Sequence, residues 1–266
     1  MSIQIRDEGR VRVVMIDRVQ ARNAVNPATA QALYAAFREF DADEAVDVAI
    51  LTGVGGTFCA GFDLKTAADG SGGGWIGALD IPEGWNPRTD PMPGPMGPTR
   101  LMLSKPVIAA VEGFAVAGGL ELAIWCDLRV AAEDATFGVY CRRWGVPLID
   151  GGTVRLPTII GQGRANDMVL TGRAVGASEA SAMGLVNRVA PHGGALATAL
   201  ELAESLVRFP QMCMRADHLS ARPSAADLGA SLRREWASAG VFAAEGQSGA
   251  ARFASGKGRG GSFEEI

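Results

Sequence analysis

Two stretches of the chain combine glycine with residues suited to managing developing negative charge. The first is Thr57-Phe58-Cys59-Ala60-Gly61-Phe62-Asp63-Leu64-Lys65, and the second is Phe114-Ala115-Val116-Ala117-Gly118-Gly119-Leu120-Glu121. Glycine at position 61 permits a sharp turn from a strand into a helix. The amides that follow such a turn, Phe62 among them, have no acceptor within the helix. Gly118 and Gly119 open a second helix in the same way, and a helix N-terminus adds positive potential where its free N–H groups converge. Two such turns facing one cleft would form a pair of donors for an oxyanion; each alone is equally an ordinary glycine turn. Glu121 sits one turn into the second helix, close to these donors, either as a proton-transfer group or as a solvated helix glutamate. Asp63 is read as support for the turn at the start of its helix.

Other chemistries find little here. There is no G-x-x-x-x-G-K-[ST] phosphate loop, and Gly161-Gln162-Gly163 lacks the third glycine of a dinucleotide fingerprint. No G-x-S-x-G nucleophile elbow occurs. Two histidines, His192 and His218, and four widely spaced cysteines, Cys59, Cys126, Cys141 and Cys213, predict no metal site. That cysteine spacing fits reduced thiols in a cytoplasmic protein. A net charge of −4 does not draw the chain toward nucleic acid. No apolar run approaches the roughly 20 residues of a membrane-spanning helix, and Met1 to Arg10 does not read as a secretory signal.

The elements that must position these groups follow from periodicity. Strands are predicted at Arg12–Ile16, Val48–Leu51, Pro106–Val111 and Leu128–Ala132, with a short extension at Phe114–Ala117. Asn26-Pro27 reads as an N-cap followed by proline at the first helical position. Ala30, Leu33, Phe37 and Phe40 then recur at helical spacing. A helix is predicted at Gly118–Trp125. The order strand, helix, strand indicates an α/β architecture. From Gly161 onward the pattern is helical, at 161–170, 178–183, 193–208, 211–220, 224–238 and 241–254, with Ser224 and Asp227 resembling a capping box. Asp69 to Thr99, dense in glycine and proline and carrying Trp75 and Trp85, is expected to be either a mobile flap that packs on something or plain disorder. Gly256 to Gly261 reads as a mobile basic tail.

The string Phe58 to Leu64 resembles the F-x-A-G-x-D-L motif of the enoyl-CoA hydratase/isomerase (crotonase) superfamily, and Phe114 to Glu121 resembles its second oxyanion motif. Further matches follow in order along nearly the whole chain. They are Arg22-Asn23-Ala24, Phe137-Gly138, Gly151-Gly152-Thr153, Arg155-Leu156, Leu170-Thr171-Gly172-Arg173, Ala180 and Gly184-Leu185-Val186-Asn187. The resemblance implies a spiral of β-β-α units, residues 1–190, with a helical C-terminal region, residues 191–266, that mediates trimer or hexamer assembly. It also implies an acyl-CoA thioester whose carbonyl oxygen is held by the Phe62 and Gly118 amides. Ala60, Gly61, Phe62, Asp63 and Leu64 would line the pantetheine channel, with Arg22 and Ala24 near the nucleotide end. Lys257 would reach a neighbour's coenzyme A phosphates. No cofactor is implied beyond the coenzyme A of the substrate.

The chain departs from the hydratase pattern at one position. Hydration is served by two carboxylates, one to activate water and one to protonate carbon. The resemblance places the second glutamate where this chain has Cys141, a residue of the substrate pocket that is either a nucleophile or a small buried thiol. Arg142 and Arg143 follow, as a solvated pair or as a phosphate contact. Glu121 is therefore the expected acid–base group. Asp150, in a segment that supplies an acidic residue in other family members, is its expected partner or else a cap for the next helix. The resulting expectation is an enoyl-CoA hydratase-like enzyme. The alternatives are an isomerase, an acyl-CoA hydrolase or dehalogenase with Asp150 as nucleophile, and a non-catalytic acyl-CoA-binding subunit.

Overall fold

The computed structural model describes residues 2–257; the part of the predicted basic tail from 258 to 261 lies outside them. The chain opens with β1 (Ile3–Glu8) and β2 (Val11–Ile16), then α1 (Pro27–Ala42) and β3 (Val48–Gly53). Asn26 caps α1 through its side chain, which accepts from the Thr29 amide at 2.9 Å. The next elements are α2 (Leu64–Ala68), α3 (Ser71–Gly77), β4 (Val107–Val111), β5 (Phe114–Val116) and α4 (Gly118–Trp125). Then come β6 (Leu128–Ala132), β7 (Thr136–Gly138), α5 (Gly152–Ile160), α6 (Gln162–Thr171), β8 (Val175–Gly176), α7 (Ala177–Ala182) and β9 (Arg188–Ala190). After β9 the described chain is helical: α8 (Ala195–Val207), α9 (Gln211–Ser220), α10 (Ala225–Trp236), α11 (Ala239–Val241), a π-helical turn at Phe242–Gly246, and α12 (Gln247–Ala254).

The main sheet has six strands in the order β1-β2-β3-β4-β6-β9, with only β1 antiparallel to its neighbour. Its inner strands are buried and largely apolar, as a sheet covered on both faces requires, with Arg12, Thr52 and Arg129 as buried polar exceptions. Helix α8 packs across β3, β4 and β6, and Phe37 of α1 meets Trp125 of α4 edge to face at 4.9 Å. A second sheet has the order β5-β7-β8, with β5 and β7 parallel and β8 antiparallel to β7. The fold is thus mixed α/β with a helical C-terminal region.

Most of the predicted elements appear within a residue or two, and Ser224 caps α10 as the Ser224/Asp227 pair predicts, through a 3.1 Å bond from the Asp227 amide. The segment 241–254 is helical throughout, as predicted, with a π-helical turn at Phe242–Gly246 where Gly246 lies against the Phe242 ring. Helix α5 and strands β1, β7, β8 and β9 are absent from the periodicity reading. Helix α5 opens on glycine and contains Pro157, while β7, β8 and β9 span at most three residues and are too short to show a period.

The segment 69–99 is packed and not disordered. Its helix α3 carries Trp75, whose Nε1 donates to Pro95 O at 3.1 Å, and Trp85 Nε1 donates to Asp90 O at 2.6 Å. Ile76, Leu79, Ile81 and Trp85 are buried. Fully buried Arg100 closes the segment, donating from Nη1 to Leu79 O at 2.7 Å and stacking 4.3 Å from the Trp236 ring. Among the described residues no helix is long and apolar enough to cross a membrane.

Candidate active site

Because β3 and β4 run parallel, the segments that follow them emerge at the same end of the sheet. A short ladder then joins the two glycine turns: the Phe58 amide donates to Glu112 O, that of Cys59 to Phe114 O, and that of Val116 to Cys59 O, at 2.8 to 3.1 Å. Gly61 takes φ +101°, which a side chain would resist, and a Cβ there would lie 3.0 Å from the Gly118 nitrogen. Ala117 takes φ +54° without being glycine, held by its amide bond to Gly138 O at 2.8 Å. Strain of this sort persists only where the surroundings impose it. Among the described residues, neither the Phe62 nor the Gly118 amide has an acceptor within the protein. Both residues line a cavity of about 820 Å³.

Arg22, Ala24, Ala60, Asp63, Leu64, Glu121, Cys141 and Asp150 lie on the wall of the same cavity. Gly61 is the exception among the predicted residues. It sits behind the wall as the point of contact between the two turns. Asp63 caps α2, accepting from the Lys65 amide at 3.1 Å, and pairs with Arg18 at 2.9 Å. The Arg22-Asn23-Ala24 turn is held from within by buried Asn23, whose amide donates to Val54 O at 2.9 Å and Thr57 O at 2.6 Å.

Glu121 and Asp150 are nearly inaccessible, at 3% and 2% exposure, yet each is only half engaged. Glu121 Oε1 accepts from the amides of Asp150 at 2.8 Å and Gly152 at 2.9 Å. Asp150 Oδ1 accepts from the Met96 amide at 2.9 Å and from the Thr99 hydroxyl. The second oxygens, Glu121 Oε2 and Asp150 Oδ2, have no protein donor among the described residues and are not sealed from the cavity. Asp150 does not cap α5: Gly151 holds that position, and the Asp150 side chain turns to Met96 and Thr99. Burial, then the charges of Asp150 and Glu235, push the Glu121 carboxyl well above the usual carboxylate range, against its two amide bonds. Burial raises Asp150 too, opposed by the Thr99 and Met96 bonds and by Arg100 and Arg155. A carboxyl kept protonated near neutrality can donate a proton, and its conjugate base can take one back.

Burial pushes the Cys141 thiol up to about 12, so it meets the cavity as a neutral, weakly polar surface and not as a thiolate. The two arginines after it part company. Arg142 is exposed and donates from Nε to Val169 O at 3.1 Å, while buried Arg143 stacks 4.0 Å from the Tyr140 ring on the cavity wall. Met96 and Thr99 reach Asp150 from the proline-rich segment, whose only sequence signal is its composition. Phe242 and Phe253, also on the wall, come from the C-terminal helices. Glu112, Asp134 and His192 cluster away from the cavity wall, and Glu112 starts α8 by accepting from the Ala195 amide at 2.8 Å.

An α/β spiral whose glycine turns present free amides beside two half-engaged carboxyls is an enzyme scaffold of the crotonase type. A sequence profile of the enoyl-CoA hydratase/isomerase family matches residues 6–74 and 99–236. Enoyl-CoA hydratase EchA19 of Mycobacterium tuberculosis is 39% identical over 206 residues, 74% of this chain and 71% of that protein. Carnitinyl-CoA dehydratase of Salmonella typhi is 38% identical over 223 residues, 81% of this chain and 78% of that protein. The crystal structure of carnitinyl-CoA hydratase from Mycobacterium avium superposes with a TM-score of 0.81 at 31% identity, covering 96% of this chain and 95% of that one. The chain belongs to the enoyl-CoA hydratase/isomerase family. It is an enoyl-CoA hydratase-like enzyme of the lyase/isomerase type, with the crotonase fold.

Proposed function

We propose that the protein adds water to, or eliminates it from, an acyl group carried as a coenzyme A thioester, with Glu121 and Asp150 as the acid–base pair. The observation that carries this reading is the matched half-engagement of the two carboxyls. Each has one oxygen tied to the backbone or to Thr99 and one left open, and both line the cavity of the free Phe62 and Gly118 amides. In this reading the thioester oxygen lies between the two amides, which stabilise the enolate as charge develops; such a donor is worth ~10²–10³-fold in rate. One open carboxyl oxygen orients and deprotonates water, and the other delivers a proton to the α-carbon. Asp150 thereby supplies what Cys141 cannot, which favours hydration over reactions that need a single proton shuttle.

The coenzyme A portion would run along Ala60 to Leu64 toward Arg22 and Ala24, and no other cofactor takes part. Residues 1–190 would carry catalysis and 191–266 the assembly of a homotrimer or hexamer in the cytoplasm, with Lys257 facing a neighbour's phosphates.

The test is turnover of crotonyl-CoA and longer or branched enoyl-CoA thioesters, read as absorbance loss at the conjugated thioester. It compares wild type, Glu121→Gln and Asp150→Asn. Wild-type turnover that falls ~10²–10⁴-fold in either variant supports the pair. Loss in Glu121→Gln alone points to single-group isomerisation. A covalent acyl adduct on Asp150, seen by mass spectrometry, would replace the reading with hydrolysis or dehalogenation. Tight binding without turnover of any thioester would leave a binding subunit.

A further inference from the structure

Four consecutive amides at the start of α5 are shared alternately between two carboxylates from different helices. Asp150 and Gly152 donate to Glu121 Oε1 from one side. From the other, Gly151 donates to Glu235 Oε2 at 2.5 Å and Thr153 to Glu235 Oε1 at 2.7 Å, with the Thr153 hydroxyl adding a bond at 2.8 Å. Gly151, at φ +91°, makes the alternation possible by turning successive N–H groups to opposite sides. Arg155 packs directly against the turn: its guanidinium lies where a Cβ of residue 151 would be, and it donates to Asp150 O at 3.1 Å and Thr99 O at 2.7 Å. Glu235 belongs to α10, is 6% exposed, and does not line the cavity.

We propose that Glu235 is a positioning residue for the reaction: it holds the Asp150–Thr153 turn from the α10 side so that Glu121 is clamped by one oxygen only and the free oxygens of Glu121 and Asp150 stay open to the cavity. The inference rests on the assignment of Glu121 and Asp150 as the acid–base pair. Without Glu235 the Gly151 and Thr153 amides lose their acceptors, and a buried turn relaxes to find others. The groups facing Glu121 are Asp150 and Arg155 from the turn and α5, Glu235 from α10, and Cys141 from the turn before it. Arg100 acts on Asp150 and Glu235 from the end of the 69–99 segment. Arg155 thus faces all three carboxyls and Arg100 two of them, and the Glu235 charge adds to burial and to the Asp150 charge in raising the Glu121 carboxyl, while burial raises Glu235 itself.

The experiment uses the full chain and the enoyl-CoA thioester that the wild type turns over fastest. It compares wild type, Glu235→Gln, Thr153→Val and Glu121→Gln for kcat, KM, the pH profile of kcat/KM, and Tm. Glu235→Gln is expected to lower kcat about 10–100-fold with little change in KM, the signature of misplaced catalytic groups. It should also move the limb due to Glu121 to lower pH, because a neutral side chain no longer opposes ionisation. Thr153→Val, which removes one bond and no charge, should lower kcat a few-fold, roughly, and leave the limb in place. A Glu235→Gln enzyme with lowered Tm but wild-type kcat and an unmoved limb overturns the proposal and reduces Glu235 to a helix cap. Should Glu235→Gln not fold, an unchanged kcat in Thr153→Val has the same force. Wild-type turnover by Glu121→Gln, or no turnover by the wild type, would remove the acid–base reading and this inference with it. Loss in Glu121→Gln with an unaltered Glu235→Gln removes the inference alone.

Discussion

A Cβ built on Gly61 lies 2.9 Å from the Cβ of Ala117, so the two glycine turns touch where only a hydrogen fits. The contact sets the spacing between the Phe62 and Gly118 amides. Gly61→Ala would have to push the second turn away and also hold alanine at φ +101°. We expect a loss of about 1–3 kcal/mol in stability, the usual cost of such a backbone conformation. A drop in kcat/KM of ~10²-fold or more should accompany it, as for loss of one oxyanion donor. Denaturant unfolding and steady-state kinetics check the two separately; full activity would mean that the amide spacing is not set here.

The raised Glu121 carboxyl has a consequence for stability. A group whose folded-state pKa lies above its unfolded value binds protons more readily when folded, so its contribution is complete below the unfolded carboxylate range and is lost as pH rises through the folded value. Glutamine carries no such penalty and keeps an oxygen for the two amides. Glu121→Gln should therefore be more stable than wild type at pH 8, with the gap closing toward pH 4. Tm measured across that range checks the sign. A gap that widens on acidification would show that Glu121 is ionised at little cost in the folded protein.

Cys141 should behave as a pocket wall. Its thiol is pushed up to about 12 by burial, and Cys59 likewise, whereas Cys213 is exposed. Native protein at pH 8 is expected to show fast labelling at Cys213 alone among Cys59, Cys141 and Cys213. Cys141→Ala should keep kcat within roughly 10-fold, far less than the ~10²–10⁴-fold expected for an acid–base group. Peptide mapping after brief alkylation, with kinetics on the variant, decides it.

Asp63 should matter to stability more than to rate. Asp63→Ala removes the cap of α2 and the partner of Arg18. A loss of about 1–2 kcal/mol is expected from the cap, and kcat should change less than KM because the side chain contacts the turn and not the reacting atoms. Equal falls in kcat and kcat/KM would assign it a transition-state role instead.

Much of the site was legible in residue order because its parts are local. A glycine turn between a strand and a helix leaves amides unpaired, so Gly61 and Gly118-Gly119 mark where free amides fall, while the pairing of Phe62 with Gly118 as donors is what the family resemblance implies. The cap at Asn26 and the box at Ser224 and Asp227 are legible for the same reason, each being closed within four residues. The short strands β7, β8 and β9 were not, since two or three residues show no period and form only by pairing with distant partners.

The sequence by itself determined the α/β class, the two glycine turns and the presence of Glu121 and Asp150 in segments that reach the cavity. It could not say which way those carboxyls point. That depends on the Asp150 and Gly152 amides reaching Glu121, on Met96 and Thr99 reaching Asp150 from a segment that read as flap or disorder, and on Glu235 arriving from α10, 84 residues beyond Gly151. Such bonds join groups far apart in the chain. Their geometry exists only once burial has removed water as the competing partner, and so the tertiary structure alone decided which oxygen of each carboxyl was tied and which was left open.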